Sequence, residues 1–295
     1  MGGRAAIALT SRFRVRGFDP VLAARSRAAA AGVDVFESAT EAARGADAVL
    51  LSLPTPQHVH AVIDDLVTTL DGALVIDMST IDPTTARAAA ETLAAHGSRY
   101  VDSPILGRPD RCGAWVAPIG GSESDVAAAE EVVVGTIAKA VEHVGDVGTG
   151  SALKILNNLM FGAINAVTAE AIYLAEATGL DAERFVTVIA ESGAATVSPL
   201  FRDIGPKMAA SDFAPTFSLD LLLKDITLAN ELARSIGSEA TMTDEVLRLT
   251  KTAVDRGLGA SDTSAIINLY RTPEESTSDS TRNESRTKAS DPSRI

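Results

Sequence analysis

Short apolar runs alternate with alanine-rich segments over the first half of the chain. Some runs, such as AVLLSL and ALVIDM, are almost wholly apolar, which is typical of strands covered on both faces of a sheet. The predicted strands are 14–18, 33–36, 48–53, 73–78, 99–102, 115–119 and 140–144. The predicted helices between them are 22–31, 40–44, 57–70, 83–96 and 123–134. This alternation predicts an α/β domain with a doubly wound parallel sheet over residues 1–148.

Two pairs of residues carry helix-start signals. Ser38 and Glu41 have the spacing of a capping box, in which each side chain bonds a backbone N–H of the other. Asp82 places a capping side chain directly before Pro83, and proline is favoured at the first helical position. Both pairs agree with the helices predicted from the apolar pattern.

The pattern changes after Gly150. The run that begins SALKILNNLM continues for about thirty residues without proline and is apolar nearly all round, as in a buried helix. Further helices are predicted at 181–191, 198–208, 219–236 and 242–256, so we expect an all-α domain over 149–270. The tail 271–295 has five basic and five acidic residues and almost no aliphatic ones, which predicts disorder.

Composition narrows the class of protein. Apolar residues form 46% of the 295, enough for a sizeable core. The net charge of −13 argues against nucleic acid or an anionic membrane as a partner. The lone Cys112 excludes an internal disulfide and fits a cytoplasmic setting. We find neither a signal peptide nor an uninterrupted membrane-spanning run, and we predict no metal site.

The opening of the chain predicts part of a dinucleotide site. GGRAAIAL reads as the first turns of a helix, and RVRGFDP as a strand that ends at Asp19, 17 positions after Gly2. Such a site combines a glycine-rich turn, a helix N-terminus and an acidic residue about 20 positions on that accepts from the ribose. We therefore expect the preceding strand upstream of Met1, either before a miscalled start or lost from a truncated product. The alternative is a flexible Gly-Gly end and an ordinary Asp-Pro turn.

Two loops follow apolar strands. SLPTPQHV comes after AVLLSL, and DMSTID overlaps the end of ALVIDM. Open α/β sheets bind ligands at the carboxyl ends of their strands, so Pro54, Ser79 and Thr80 are candidates to line a cofactor. The alternative is ordinary turn chemistry.

The segment GSALKILNNLM is the strongest local signal. Lys154 and Asn158 are four apart, on one face of a helix, with Asn157 beside them. Such polar groups are costly in an apolar helix unless they are paired or face a polar cavity. A partly desolvated lysine has a lowered pKa, which suits it to move protons near neutral pH. The alternative is a snorkelling lysine with amides that bond the backbone.

Together these segments resemble the β-hydroxyacid dehydrogenases, the family of 3-hydroxyisobutyrate dehydrogenase, tartronate semialdehyde reductase and 6-phosphogluconate dehydrogenase. The resemblance runs from Met1 to about Tyr270 and implies a Rossmann-type fold, N-terminally truncated, followed by a helical domain. It implies cofactor-binding roles for Met1, Gly2, Asp19, Leu53, Pro54, Ser79, Thr80 and Lys224, the last from LLLKDITLA, with Asp225 beside it. It also implies that Lys154 transfers the proton and that Asn158 orients the substrate.

The substrate motif departs from the family pattern. The family reads D-A-P-V-S-G-G, whereas this chain reads DSPILGR from Asp102. Leu106 stands where the family has a serine that helps to hold the substrate carboxylate, Gly107 remains, and Arg108 replaces the second glycine. Arg108 either binds an anionic group, closes the pocket to the usual 3-hydroxy acid, or forms a salt bridge with Asp110.

The resemblance implies an NAD(P)-dependent oxidoreductase that transfers a hydride between a small β-hydroxy acid and the nicotinamide. Asp19 favours NAD over NADP because a carboxylate repels the 2′-phosphate. A homodimer or tetramer through the helical domain is expected. One alternative is an imine reductase, against which Lys154 argues because those enzymes usually lack lysine there. The other is a truncated homologue without catalytic activity.

Overall fold

The computed structural model describes residues 1–194 and 196–271. The chain divides into two compact units, Met1–Asn157 and Asn158–Ile295. The boundary predicted from the sequence lay before the long helix α7 (Thr149–Ala177), whereas the division between the units lies inside it. The predicted disordered tail lies outside the described residues, apart from Arg271.

The first unit alternates strands with helices. Its strands are β1 (Arg16–Gly17), β2 (Asp34–Val35), β3 (Ala48–Leu51), β4 (Leu74–Asp77), β5 (Arg99–Asp102), β6 (Trp115–Gly120) and β7 (Ala138–Gly145). Its helices before α7 are α1 (Gly2–Leu9), α2 (Leu22–Ala30), α3 (Ala39–Ala43), α4 (Pro56–Leu66), α5 (Pro83–Ala94) and α6 (Glu123–Val133). Every strand and helix predicted for this half is present, with ends that differ by a few residues.

The strands form a two-stranded sheet, β1-β2, and a five-stranded sheet in the order β3-β4-β5-β6-β7. β3, β4 and β5 are parallel, but β6 runs antiparallel to β5, and β7 is parallel to β6. The α/β domain with a doubly wound sheet predicted from the sequence is confirmed, and its last two strands run opposite to β3, β4 and β5. The link from β5 to β6 contains only a short 3-10 turn, Pro109–Arg111, and an antiparallel neighbour needs no helical crossover.

The two sheets are separate from each other. Among the described residues β1 pairs only with β2, and β3 pairs only with β4. One edge of each of these strands therefore has no described strand beside it. The expectation that another strand lies upstream of Met1 stays a prediction.

Helix starts follow the local signals in the sequence. The Ser38 hydroxyl accepts from the Glu41 N–H at 3.1 Å, at the start of α3. A carboxylate oxygen of Asp82 accepts from the N–H groups of Thr84 and Thr85, both at 2.9 Å, at the start of α5. Both predicted cap residues are confirmed.

The larger sheet is covered on both faces. Along β4, Leu74 and Ile76 belong to an apolar cluster that includes α1 and α6, whereas Val75 belongs to a second cluster with α4 and α5. The Arg12 side chain, just after α1, donates to the carbonyl of Val134 at 3.0 Å, just after α6. The first helix of the chain thus shares an apolar cluster with a helix from the end of the same unit, and a hydrogen bond joins the residues that follow the two helices.

The second unit is helical. After α7 come α8 (Ala182–Glu191), α9 (Pro199–Ala209), α10 (Leu219–Ser235) and α11 (Thr241–Ala253). The Arg271 guanidinium forms an ion pair with Glu176 and donates to the Met208 carbonyl at 3.0 Å. Arg271 was predicted to begin the disordered tail, but these bonds make it part of this unit.

Gly150, in the first turn of α7, allows a close approach of backbones. A Cβ there would lie 2.7 Å from the carbonyl oxygen of Asp102 and 2.9 Å from that of Pro118. Because backbone atoms cannot turn aside, Gly150→Ala should lower the free energy of unfolding by about 1–3 kcal/mol, measured by urea denaturation.

Gly3→Ala is the matched control, because a Cβ on this helical glycine meets nothing within 4 Å. It should stabilise the protein by roughly 0.5–1 kcal/mol through helix propensity. Parental stability in Gly150→Ala would contradict the close approach.

Candidate active site

Asp102 caps the first turn of α7 from the end of β5. Its side chain is buried at 1% exposure; Oδ1 accepts from the N–H of Gly148 at 2.7 Å and Oδ2 from that of Ser151 at 2.6 Å. Burial raises the pKa of Asp102 above its ordinary value, and the two N–H groups oppose that shift. A carboxylate at this place also complements the positive end of the helix dipole. This pair of bonds fixes the start of α7 against the sheet.

Lys154 follows Ser151 by about one turn of the helix. Its Nζ donates to the carbonyl oxygen of Ile105 at 2.8 Å, and the side chain is half-buried. Ile105 lies three residues beyond Asp102, at the beginning of the substrate segment predicted from the sequence. The structure therefore brings Lys154 to the segment expected to hold the substrate.

The three substrate-binding candidates follow Ile105 directly. The N–H of Leu106 donates to the carbonyl of Val116 at 3.0 Å, which places the segment beside β6. Gly107 and Arg108 are exposed. The segment is thus accessible and is held from β6.

Asn158 lies four residues beyond Lys154, on the same face of α7. Its Nδ2 donates to Oδ2 of Asp225 at 2.6 Å, and Asn158 and Asp225 are 6% and 3% exposed. The other oxygen of Asp225 lies 2.8 Å from Nζ of Lys224. Because an ionised carboxylate only accepts hydrogen bonds, Asp225 fixes which end of the Asn158 amide faces it. Lys224, predicted to approach the cofactor, forms an ion pair with its own neighbour.

The N-terminus of α1 lies beside the loop that follows β3. A Cβ on Gly2 would come within 3.0 Å of the Cβ of Ser52, so this approach favours glycine. Met1 is at the N-cap position and gives no side-chain cap, and the first turn has no acidic residue. The amide groups at this helix end are therefore suited to an anion such as a pyrophosphate.

A serine joins the two candidate cofactor loops. The Ser79 hydroxyl accepts from the N–H of Leu53 at 2.8 Å, and the Ser79 N–H donates to buried Asp77 at 2.8 Å. Burial raises the pKa of Asp77, and hydrogen bonds from Ser79 and from the Tyr100 hydroxyl oppose the shift. Ser79 is 3% exposed, so its described contacts hold the loops together.

Pro54 is exposed and Thr80 half-buried, each in one of these loops. The roles of Leu53, Pro54, Ser79 and Thr80 at a cofactor stay predictions.

Asp19 lies just after β1 and is half-buried. Its Oδ1 accepts from the N–H of Val21 at 2.8 Å, as in an ordinary turn. Among the described residues no partner contacts Oδ2, which leaves that oxygen to accept from a ribose hydroxyl. Asp19 and the uncapped end of α1 are two of the features of a dinucleotide site, and their roles at a cofactor stay predictions.

Comparison with known proteins agrees with these features over most of the chain. Residues 1–145 match the family model described as the NAD binding domain of 6-phosphogluconate dehydrogenase. Residues 148–270 match the one described as NAD-binding of NADP-dependent 3-hydroxyisobutyrate dehydrogenase. A probable 3-hydroxyisobutyrate dehydrogenase of Mycobacterium bovis is 36% identical over 238 residues, covering 77% of this chain and 80% of the relative. The chain belongs to the β-hydroxyacid dehydrogenase family.

Solved structures support the same assignment. This β-hydroxyacid dehydrogenase is similar to the structure of Mycobacterium tuberculosis 3-hydroxyisobutyrate dehydrogenase with L-serine. The TM-score is 0.83 at 33% identity, covering 92% of this chain and 96% of that one. An imine reductase of Bacillus cereus, at 17% identity and a TM-score of 0.57 over 91% and 94% of the two chains, shares the fold alone. The predictions of an oxidoreductase and of an NAD or NADP cofactor are confirmed.

Three groups that hold the candidate residues were given no role from the sequence. Asp102 and Asp225 were read only as members of motifs, although an acidic residue at a strand end or in an apolar helix is itself a signal. Ile105 acts through its backbone carbonyl, which no side-chain pattern reveals. In this β-hydroxyacid dehydrogenase, Ile105 and Asp225 hold Lys154 and Asn158, and Asp102 holds the start of the helix that carries them.

The described residues contain no group of three or more His, Cys, Asp or Glu side chains that could hold a metal ion. Among the described helices, only α7 is long and apolar enough to cross a membrane, and 44% of its most apolar window is buried in the protein. The core helix of a soluble protein passes the same test, so length and composition alone do not place α7 in a membrane.

Asp102→Asn tests the cap of α7. The variant keeps one acceptor oxygen but turns an amide NH₂ toward a backbone N–H, so it should lose about 1–3 kcal/mol of stability. Activity should fall as well, because Lys154 lies one turn beyond the disturbed cap. Thermal melting and steady-state kinetics measure the two effects.

Asp181→Ala is the control, since it removes the exposed cap of α8, where Asp181 accepts from the N–H of Arg184 at 2.8 Å. It should cost about 1 kcal/mol and leave kcat unchanged. Equal kcat in Asp102→Asn and the parent would show that the cap does not place Lys154.

Proposed function

We propose that this protein oxidises the primary alcohol of a small β-hydroxy acid, or reduces the corresponding aldehyde. The observation that carries the proposal is the 2.8 Å contact between Nζ of Lys154 and the carbonyl of Ile105. It holds an amine beside the segment that resembles the substrate motif of the family. The nicotinamide, when bound, supplies the hydride or takes it up.

Lys154 is the proton-transfer residue of this proposal. In the oxidation direction its neutral amine takes the hydroxyl proton, and in the reduction direction its ammonium returns one to the carbonyl oxygen. The Ile105 carbonyl accepts from Nζ in either state and keeps the nitrogen in place. The hydride and this proton account for both hydrogens removed from the alcohol, and the half-buried Lys154 exchanges its proton with solvent between turnovers.

Asn158 is the substrate-orienting residue. Its amide is buried and held by Asp225, so the direction of its polar atoms is set before the substrate arrives. Preorganised groups of this kind contribute to catalysis because they need no rearrangement during reaction. The exposed backbone of Gly107 is the second substrate-orienting group of the proposal.

The names of two similar proteins suggest the substrate class. One is a probable 3-hydroxyisobutyrate dehydrogenase, and the other was solved with L-serine. Both compounds are small acids with a hydroxymethyl group on the carbon next to the carboxyl group. We take 3-hydroxyisobutyrate as the first substrate to assay, with Leu106 and Arg108 as the positions where this chain departs from the family motif.

Helix α7 suggests how subunits associate. Within the second unit it exposes Met160, Val167 and Leu174 at 65%, 61% and 55%, and their spacing places them along one side of the helix. Exposed apolar stripes mark protein interfaces. This surface supports a homodimer or tetramer formed through the helical unit. The composition, with its lone cysteine, supports a location in the cytoplasm.

Lys154→Ala should lower kcat by roughly 100- to 10,000-fold, the range typical of losing a general acid–base group. Cofactor affinity should stay within twofold of the parent value, because Lys154 contacts the substrate segment. The measurement is oxidation of 3-hydroxyisobutyrate, followed by the absorbance of the reduced cofactor, with binding of the cofactor titrated separately.

Lys139→Ala, which removes an exposed lysine on β7, is the charge-matched control and should retain parental kcat. Near-parental turnover in Lys154→Ala would show that another group moves the proton. An inactive parent would instead favour the non-catalytic alternative.

Asp19→Asn should weaken the preference for NAD. The variant loses a charged acceptor for the ribose and the repulsion of a 2′-phosphate, so the ratio of kcat/KM for NAD over NADP should fall by about tenfold or more. Asp34→Asn makes the same charge change on the neighbouring strand β2, where Asp34 pairs with Arg14, and should leave the ratio unaltered. A parent that already prefers NADP would overturn this part of the proposal.

A further inference from the structure

Trp115 holds the far end of the substrate segment. It begins β6 and is fully buried, and its Nε1 donates to the carbonyl oxygen of Arg108 at 2.7 Å. A buried indole N–H needs an acceptor. Here the acceptor belongs to one of the residues that resemble the substrate motif, and none of the roles inferred so far uses this bond.

Gly107 lies against the same indole. A Cβ at this position would be 2.6 Å from Cδ1 of Trp115, and the φ angle of Gly107 is +151°. Both facts restrict the position to glycine. The backbone of Gly107 therefore packs directly against the edge of the Trp115 ring.

The segment is held at three successive points. Lys154 bonds the carbonyl of Ile105, two backbone bonds of 3.0 and 3.4 Å join Leu106 to Val116, and Trp115 bonds the carbonyl of Arg108. The first point is the candidate catalytic group. The last is a core side chain that touches no reacting atom.

We propose that Trp115 is a positioning residue for substrate binding. Its indole N–H and ring edge fix the backbone of residues 107 and 108, and so set where these residues meet the substrate carboxylate. The inference rests on the proposed function for its kinetic consequence, but the contact itself is testable without turnover.

Trp115→Phe removes the N–H donor and keeps an aromatic ring. The carbonyl of Arg108 also accepts from the N–H of Arg111 at 3.0 Å, so it keeps a donor in the variant and the fold should survive. KM for 3-hydroxyisobutyrate should rise about 2- to 10-fold, as expected for one lost hydrogen bond. The kcat should change less than twofold, because the Leu106–Val116 bonds separate the lost contact from Ile105 and Lys154.

Ile119→Val is the matched control for lost core volume. Ile119 is on the same strand, is fully buried and belongs to the same apolar cluster as Trp115, but it does not bond the segment. It should lower the melting temperature and leave KM at the parental value. An equal rise of KM in Ile119→Val, or an unchanged KM in Trp115→Phe, would overturn the proposal.

Fluorescence supplies a readout that needs no substrate. Trp115 is the only tryptophan in the chain, so the emission spectrum reports the surroundings of this one indole. Gly107→Ala should push the segment off the ring, admit water to Nε1 and shift the emission to longer wavelength. Gly113→Ala, a substitution of another positive-φ glycine nearby whose Cβ would meet only a carbonyl at 3.7 Å, should give no shift.

Failure of the proposal and failure of the proposed function are distinguishable. If the parent does not oxidise 3-hydroxyisobutyrate but Gly107→Ala shifts the emission, Trp115 holds the segment and it is the proposed function that fails. If the emission of Gly107→Ala equals that of the parent, Trp115 does not position the segment, whatever the activity.

Discussion

The bonds from the carboxylate of Asp102 to the N–H groups of Gly148 and Ser151 determine where the helix with the candidate catalytic residues begins. A buried charge is costly unless its hydrogen bonds are satisfied. Here both oxygens are used, and each N–H belongs to the end of a helix whose dipole favours a negative charge. Because α7 is a continuous helix, the position of its first turn along the helix axis and its rotation about that axis also determine where Lys154 lies. The absence of a side chain at Gly150 lets the sheet and the helix come close enough for these bonds to form.

Lys154 and Asn158 are also held in place by hydrogen bonds to partners distant in sequence. Lys154 and Asn158 are polar residues in an apolar helix, and each is held by a partner of its own unit: a backbone carbonyl for Lys154 and a carboxylate for Asn158. Binding each group before a ligand arrives costs stability through desolvation, since a pair of buried polar groups often contributes less than apolar packing. Such a cost is expected where orientation matters more than stability.

Local signals predicted much of this structure, and long-range partners were beyond them. The alternation of strands and helices, the caps at Ser38 and Asp82, and the spacing of Lys154 and Asn158 all depend on residues close in sequence. The partners of Lys154 and Asn158 are 49 and 67 residues away, and those of Asp102 are 46 and 49 residues away, so no periodicity connects them. The reversed direction of β6 was missed for a related reason. The direction of a strand depends on the path of the preceding link, and an apolar run does not show whether a strand is parallel or antiparallel to its neighbour.

The apolar cluster that α1 shares with α6 has a consequence for the synthesis of the chain. The bond from Arg12 to Val134 spans 122 residues. A ribosome adding roughly 5–20 residues per second needs about 6–24 s to traverse that length. During this interval the apolar side of α1 has been synthesised, but α6, which contributes to the same cluster, has not. The emerging chain therefore exposes an apolar surface for seconds, which is long enough for a chaperone to bind before native packing is available.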